Sequence, residues 1–118
     1  VNQSFAAEHP EAVKGFLRAF VKGLKETVKQ PASAVETVLK RNDSAKKELE
    51  IERLKMAIGD NIVTPEVVAN GYGGIDPARF THAIEQIAIA YKFDAGKPKP
   101  GDIFDDSFLP PTADRKVR

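Results

Sequence analysis

A chain of 118 residues is long enough for one modest hydrophobic core and too short for two, so we expect a single compact unit. Its formal net charge of +1 argues against binding to a phosphate backbone, which usually requires a strongly basic protein. The sequence has no cysteine, which excludes disulfides, thiolate nucleophiles and cysteine-ligated metals, and no apolar run approaches the ~20 residues of a membrane span. We therefore expect a soluble protein.

Two helices are predicted in the first third of the chain. Pro10 suits the first turn of a helix, where its missing N–H has no partner to lose. Pro31 ends this helix and opens a shorter one that carries Val35, Val38 and Leu39, before a polar break at residues 41–44. The apolar residues of the first helix recur at helical spacing and predict one buried face: Val13, Phe16, Leu17, Phe20, Leu24 and Val28.

A third helix is predicted over residues 45–61, and it has apolar residues on two sides. Leu49 and Met56 lie almost opposite its main apolar stripe, so we expect this helix to be covered on both faces. The main stripe consists of Ile51, Leu54, Ile58 and Ile62.

Two further helix starts combine a capping residue with proline, at Thr64-Pro65 and Asp76-Pro77. The glycine-rich run at residues 70–74 ends the first of these helices, because glycine adopts the left-handed conformations that stop a helix. The alternation at residues 87–91 also fits a strand. We favour a helix because the helical period continues from Phe80 through Ile84, Ile87 and Tyr91.

The last part of the chain predicts little regular structure. Residues 97–101 read as an extended proline-rich linker, and Asp102-Ile103-Phe104 can form one helical turn. Residues 112–118 predict a loose tail. We therefore divide the chain into a helical segment, 1–109, and a disordered tail, 110–118, and assign it to the mainly α class.

One helix face carries the best candidate for anion binding. The basic residues on the first helix form a stripe, but no aromatic residue is interleaved to stack a base, so a solvated face is the favoured interpretation. The stripe consists of Lys14, Arg18, Lys22, Lys25 and Lys29. Gly71, Gly73 and Gly74 suggest a phosphate-binding loop, yet no strand precedes them, which favours a turn.

No arrangement of residues indicates catalysis or a metal site. Asp102, Asp105 and Asp106 lack the alternating donors and central glycine of a calcium loop, so helix capping is favoured for them. His9 and His82 lack the paired spacing of a zinc helix. We therefore predict that the chain is not an enzyme, assign no catalytic or metal-ligating residue, and expect no cofactor.

The order of the helix starts resembles a known family. Residues 9–20 (HPEAVKGFLRAF), 64–67 (TPEV), 74–80 (GIDPARF) and 103–110 (IFDDSFLP) carry the likeness. Together they resemble the C-terminal part of solute-binding proteins of ABC importers, in the family for nitrate, sulfonates, taurine and the thiamine pyrimidine precursor. The likeness spans nearly the whole chain and rests on the order and spacing of helix starts.

The resemblance implies a two-lobed α/β parent of the type II periplasmic-binding-protein fold, which closes on its solute by a hinge motion. It implies a small-molecule solute, an ABC permease as partner, and a periplasmic or lipid-anchored extracellular location. Since most cleft residues of that family precede the matching region, the ligand-binding residues stay unknown. The chain would be a partial, non-catalytic transport component.

Two other classes of function remain open. A stand-alone helical protein-interaction module needs no transport role. A fragment of a thiamine-pyrimidine-synthase-like enzyme is disfavoured, because the characteristic motif of those enzymes contains cysteine. We also expect a homo-oligomer through exposed apolar helix faces, with contributions from Leu49, Met56, Phe104 and Phe108.

Overall fold

Helices supply the regular structure of the described residues, 1–42, 44–94 and 98–117, in this computed structural model. No strand occurs within these ranges, which confirms the prediction of a mainly helical chain. The α-helices are α1 (Gln3–Glu8), α2 (Pro10–Lys29), α3 (Pro31–Leu39), α4 (Lys47–Ala57), α5 (Pro65–Asn70), α6 (Pro77–Tyr91), α7 (Pro100–Ile103) and α8 (Thr112–Arg115). A π-helical turn, Ile58–Ile62, follows α4 directly.

Proline and capping side chains place the predicted helix starts. Helices α2, α3, α5 and α6 each begin on a proline. The Thr64 hydroxyl accepts the Val67 N–H at 3.3 Å, and the Asp76 carboxylate accepts the Arg79 N–H at 2.8 Å. These bonds satisfy N–H groups that have no partner inside the first helical turn. The four predicted starts are confirmed, and the strand alternative at residues 87–91 is wrong.

Several elements differ from the prediction. Helix α1 is additional, and it is capped by Asn2, whose side-chain oxygen accepts the Ser4 N–H at 2.9 Å. The predicted helix over residues 45–61 begins at Lys47 and changes to π geometry at Ile58. Helix α7 begins at Pro100, so the end of the predicted linker is helical. Three residues of the predicted polar break, linker and tail lie outside the described residues: Asp43, Lys97 and Arg118.

The segment after residue 109, for which the sequence predicts a loose tail, contains α8 and contacts distant parts of the chain. The Lys25 amine on α2 donates to the Asp114 carbonyl at 3.2 Å. The Lys116 amine donates to the Ala69 carbonyl, near the end of α5, at 2.7 Å. Residues 112–117 therefore connect α2 to the C-terminal end of α5.

The helices form an open arrangement with a small core. The radius of gyration is 17.5 Å, against about 13.5 Å expected for a compact domain of this length. On α2 only one edge of the predicted apolar stripe is covered: Val13 is buried, whereas Phe16 and Phe20 are 68% and 59% exposed. The buried apolar side chains are Ala6, Val13, Val21, Val35, Tyr72, Ile84 and Ala88.

Ion pairs join successive helices at their surfaces. Glu36 on α3 contacts Lys47 on α4 at 2.7 Å, and Glu66 on α5 contacts Arg79 on α6 at 2.6 Å. Within the described ranges, none of the helices combines the length and apolar character that a bilayer crossing requires.

Candidate functional site

A groove lies between the start of the chain and the region of α7. Helix α1 and the first turns of α2 form one wall, and α7 with the residues after it forms the other. The groove has a volume of about 960 Å³ and is partly open to solvent. Its wall includes the aromatic residues Phe5, Phe16, Phe104 and Phe108, and the acidic residues Asp102 and Asp105.

Local contacts fix the orientation of several groove residues. Phe104 packs edge-on against Phe80 of α6, with ring centroids 6.4 Å apart and planes at 79°. Phe5 lies against the His9 ring, with centroids 4.9 Å apart. Offset and edge-on aromatic contacts of this kind add to the stability that burial provides. The aromatic wall is therefore held from both sides of the groove.

Hydrogen bonds to nearby donors hold both groove carboxylates. Asp102 accepts the Lys99 N–H at 3.0 Å and thereby caps α7. Asp105 accepts the Ser107 N–H at 2.9 Å, and hydrogen bonds from the Ser107 hydroxyl and N–H lower the pKa of this carboxyl. Neither carboxylate forms an ion pair within the described residues. The groove wall, which also contains Val1, therefore carries two carboxylates that form no pair with a lysine or arginine side chain of the described residues.

The candidate anion stripe on α2 is partly neutralised. Lys14 pairs with Glu11 at 2.9 Å, and hydrogen bonding to this amine lowers the pKa of the Glu11 carboxyl. A shallow cleft of about 420 Å³ lies between α2 and α8, and its wall contains Arg18 and Lys22 together with acidic side chains. The geometry favours the interpretation of this stripe as a solvated face.

The glycine-rich segment is a turn that receives the C-terminal residues. Gly71 and Gly73 have positive φ values of +84° and +82°, and Gly71 ends α5. A Cβ atom at Gly71 would lie 3.1 Å from the carbonyl carbon and oxygen of Arg115. The turn interpretation is confirmed, and Gly71 allows the Arg115 backbone to approach closely.

The remaining polar candidates stay separate from one another. His82 lies 3.6 Å from Glu85 on the exposed side of α6, and His9 lies at the junction of α1 and α2. Within the part of the chain that the structure describes, no group of three or more potential metal ligands occurs. The capping role is confirmed for Asp102.

The sequence pattern does not predict the groove because it does not predict α1, which contributes Phe5. The available signal was Asn2, a preferred capping residue that precedes a short helix-compatible stretch. Neither the proximity of α1 to α7 nor the shared aromatic wall follows from local sequence pattern, since about a hundred residues separate the two elements along the chain.

Comparisons with described protein families, curated proteins and solved structures gave no match to this chain. The resemblance to solute-binding proteins of ABC importers accordingly stays a prediction from the sequence. The candidate site is defined by the geometry of the groove.

Proposed function

We propose that this chain is a non-catalytic helical part of a solute-binding protein of an ABC importer, of the nitrate, sulfonate, taurine and thiamine-pyrimidine-precursor type. Its role in that protein is to pack exposed apolar helix faces on further protein. The observation that carries the proposal is the uncovered face of α2. There Phe16 and Phe20 stack on each other with ring centroids 6.4 Å apart, although both are largely exposed.

The uncovered face of α2 has the shape of a packing surface. Ala12, Ala19 and Gly23 lie beside the two phenylalanines at helical spacing, and all three are exposed. Among the described residues, no atom other than the neighbouring backbone of α2 itself lies within 4 Å of the Cβ position at Gly23. Small residues beside large rings let a second element approach the helix closely and interdigitate with the rings.

Other helices expose apolar pairs in the same way. Ile87 and Tyr91 on α6 are 51% and 77% exposed, and Leu49 and Met56 on α4 are 42% and 66% exposed. Covering apolar surface contributes roughly 25 cal/mol per Å², and large contiguous apolar patches usually mark interfaces. The open arrangement and these faces together favour a chain that is completed by additional protein.

The order of helix starts, which resembles that of the solute-binding proteins, is the further support for a role in transport. In the proposed parent, two lobes would capture the solute and dock on a membrane permease in the periplasm. The exposed faces equally favour the second candidate, a stand-alone helical interaction module. The two candidates differ in whether the covering protein belongs to the same polypeptide.

The size and location of the natural protein in its source cells distinguish the two candidate functions. We expect an antibody raised against this chain to detect a periplasmic protein several times larger than 12.9 kDa. That protein, once purified, should bind taurine, another sulfonate, nitrate or the pyrimidine precursor in calorimetric titrations. A cytoplasmic product of 12.9 kDa would overturn the transport proposal and favour the interaction module.

A matched pair of substitutions tests whether the α2 face is covered. Phe20→Glu should lower the melting temperature of the larger protein but leave the isolated chain almost unchanged, because Phe20 is already exposed there. Lys22→Glu, on the opposite side of α2, should have little effect in either protein. Equal effects of the two substitutions in the larger protein would count against coverage of this face.

A further inference from the structure

The groove between α1, α2 and α7 has the size and wall composition of a small-molecule site. Its volume of about 960 Å³ lies near the upper end of the range for ligand pockets, roughly 300–1,000 Å³. Such pockets combine an apolar wall with a few polar groups that orient the ligand. In this groove four phenylalanines lie among aliphatic side chains, and the charged side chains are both carboxylates.

The aromatic wall favours a cation over an anion or a neutral polar group. The faces of phenylalanine rings carry negative electrostatic potential, and quaternary ammonium groups bind where several rings converge. Phe5 and Phe16 come from α1 and α2, whereas Phe104 and Phe108 come from the opposite wall. A ligand between the walls therefore meets rings from both sides.

The two carboxylates supply charge complementarity. Asp102 and Asp105 lie on the α7 side of the groove, and their hydrogen bonds to Lys99 and Ser107 hold them in place. Within the described ranges neither has an ion-pair partner, so a bound cation would not have to displace a lysine or arginine. An anionic ligand would face repulsion from both groups.

We propose that this groove binds an organic cation of the trimethylammonium class. The methyl groups of the ammonium contact the phenylalanine rings, and its charge faces Asp102 and Asp105. This site goes beyond the proposed transport role and does not rest on it. It is a property of the chain itself, because further protein that covered Phe16 would also close the groove.

The test uses two probes of the same shape that differ in charge. Choline and 3,3-dimethylbutan-1-ol differ by the replacement of the ammonium nitrogen with carbon. We expect choline to give saturable NMR shifts of the groove phenylalanine rings at millimolar concentration, and the alcohol to give none. The shifts should weaken as the salt concentration rises, because part of the attraction is electrostatic.

Neighbouring residues provide matched control variants. Asp105→Asn and Phe16→Ala should each weaken choline binding by about twofold to fivefold. Asp106→Asn alters a residue outside the groove wall and should leave the affinity unchanged. Asparagine retains a side-chain oxygen that can accept the Ser107 N–H, so Asp105→Asn should keep the local fold, which circular dichroism checks.

Three results would overturn the proposal. Equal binding of the alcohol and choline would show an apolar groove without cation selectivity. Equal effects of Asp105→Asn and Asp106→Asn would show that only the net charge of the chain matters. The absence of saturable shifts at the groove rings would show that the walls do not form a cation site.

Discussion

Arg115 and Tyr72 are joined by two hydrogen bonds across forty-three positions of sequence. The Arg115 guanidinium donates to the Tyr72 carbonyl, and the Tyr72 N–H donates to the Arg115 carbonyl at 2.9 Å. The same guanidinium donates to the Pro110 carbonyl at 2.8 Å. One side chain therefore connects α8, the segment before it and the turn after α5.

Replacement of Arg115 by alanine should destabilise the fold. Hydrogen bonds that involve a charged group contribute about 1.5–3 kcal/mol, so we expect Arg115→Ala to lower the free energy of unfolding by that amount. The matched control is Arg79→Ala, because Arg79 is 77% exposed and forms a surface ion pair with Glu66. Its loss should cost less than about 1 kcal/mol. Urea denaturation gives both values, and equal losses would contradict the central role of Arg115.

The turn after α5 should tolerate alanine at one glycine and not at another. Gly71 has a φ of +84°, and a Cβ there would meet the Arg115 backbone at 3.1 Å. We expect Gly71→Ala to destabilise the fold by about 1–3 kcal/mol. Gly74 does not have a positive φ, and its nearest contact would be 4.0 Å away, so Gly74→Ala should be neutral or slightly stabilising. The melting temperatures of the two variants test this difference, and equal values would contradict it.

We expect the Tyr72 hydroxyl to destabilise the folded state. The side chain is 5% exposed, and its hydroxyl has no hydrogen-bond partner in the part of the chain that is described. An unsatisfied buried hydroxyl costs about 1–3 kcal/mol, so Tyr72→Phe should leave stability unchanged or raise it. Tyr91→Phe, at a residue that is 77% exposed, is the control and should have no effect. A clear loss of stability in Tyr72→Phe would reveal a partner for the hydroxyl.

Burial also makes the contribution of Tyr72 depend on alkaline pH. Burial raises the pKa of Tyr72 above its ordinary value of 10.0. A raised pKa means that the folded state holds the proton more tightly than the unfolded state. The resulting stability is present below pH 10.0 and is lost as the pH rises through the folded pKa. Denaturation curves of the wild type and Tyr72→Phe should therefore diverge above that pH.

The Glu36–Lys47 pair should make the contact between α3 and α4 sensitive to pH at both extremes. The hydrogen bond from Lys47 lowers the pKa of Glu36 from 4.5, so this stability is present above that pH and is lost on acidification. The same bond raises the pKa of Lys47 from 10.5, so the stability is lost again as the pH rises beyond that value. Glu36→Gln should reduce the loss of unfolding free energy at both low and high pH. Glu52→Gln, at an exposed position on α4, should change the loss in neither range.

The exposed face of α4 should mediate self-association. Leu49 and Met56 are two turns apart on one side of this helix, and both are more than 40% exposed, at 42% and 66%. Light scattering over a concentration series should show an increase in mass, because burial of these side chains favours a dimer. Leu49→Glu should suppress the increase, and Lys55→Glu, at an exposed position on another side of α4, should not. A monomer at every concentration would contradict this prediction.

Helix starts could be predicted from the sequence because their causes are local. Pro10, Pro31, Pro65 and Pro77 each fit the first turn, and the capping bonds of Thr64 and Asp76 span three residues. The positive φ of Gly71 follows from its position at a helix end for the same reason. Signals of this kind can be read without knowledge of the tertiary structure.

The burial pattern and the groove could not be predicted in this way. Helical spacing placed Phe16 and Phe20 on the same apolar stripe as Val13, but spacing does not determine how much of a stripe neighbouring helices cover. The contact between Arg115 and Tyr72 depends on the path of the chain between them. The cation site proposed here involves residues of the first and last quarters of the chain, and no local pattern links them.

The C-terminal contacts use backbone carbonyl groups as hydrogen-bond acceptors. Lys116 donates to the Ala69 carbonyl, and Lys25 donates to the Asp114 carbonyl, whereas the pairs Glu36–Lys47 and Glu66–Arg79 depend on carboxylates. Lowering the pH removes charge from the carboxylates and leaves the carbonyl acceptors intact. Acid should therefore speed the exchange of amide protons with solvent in α3 and α4 more than at the junction of α2, α5 and α8.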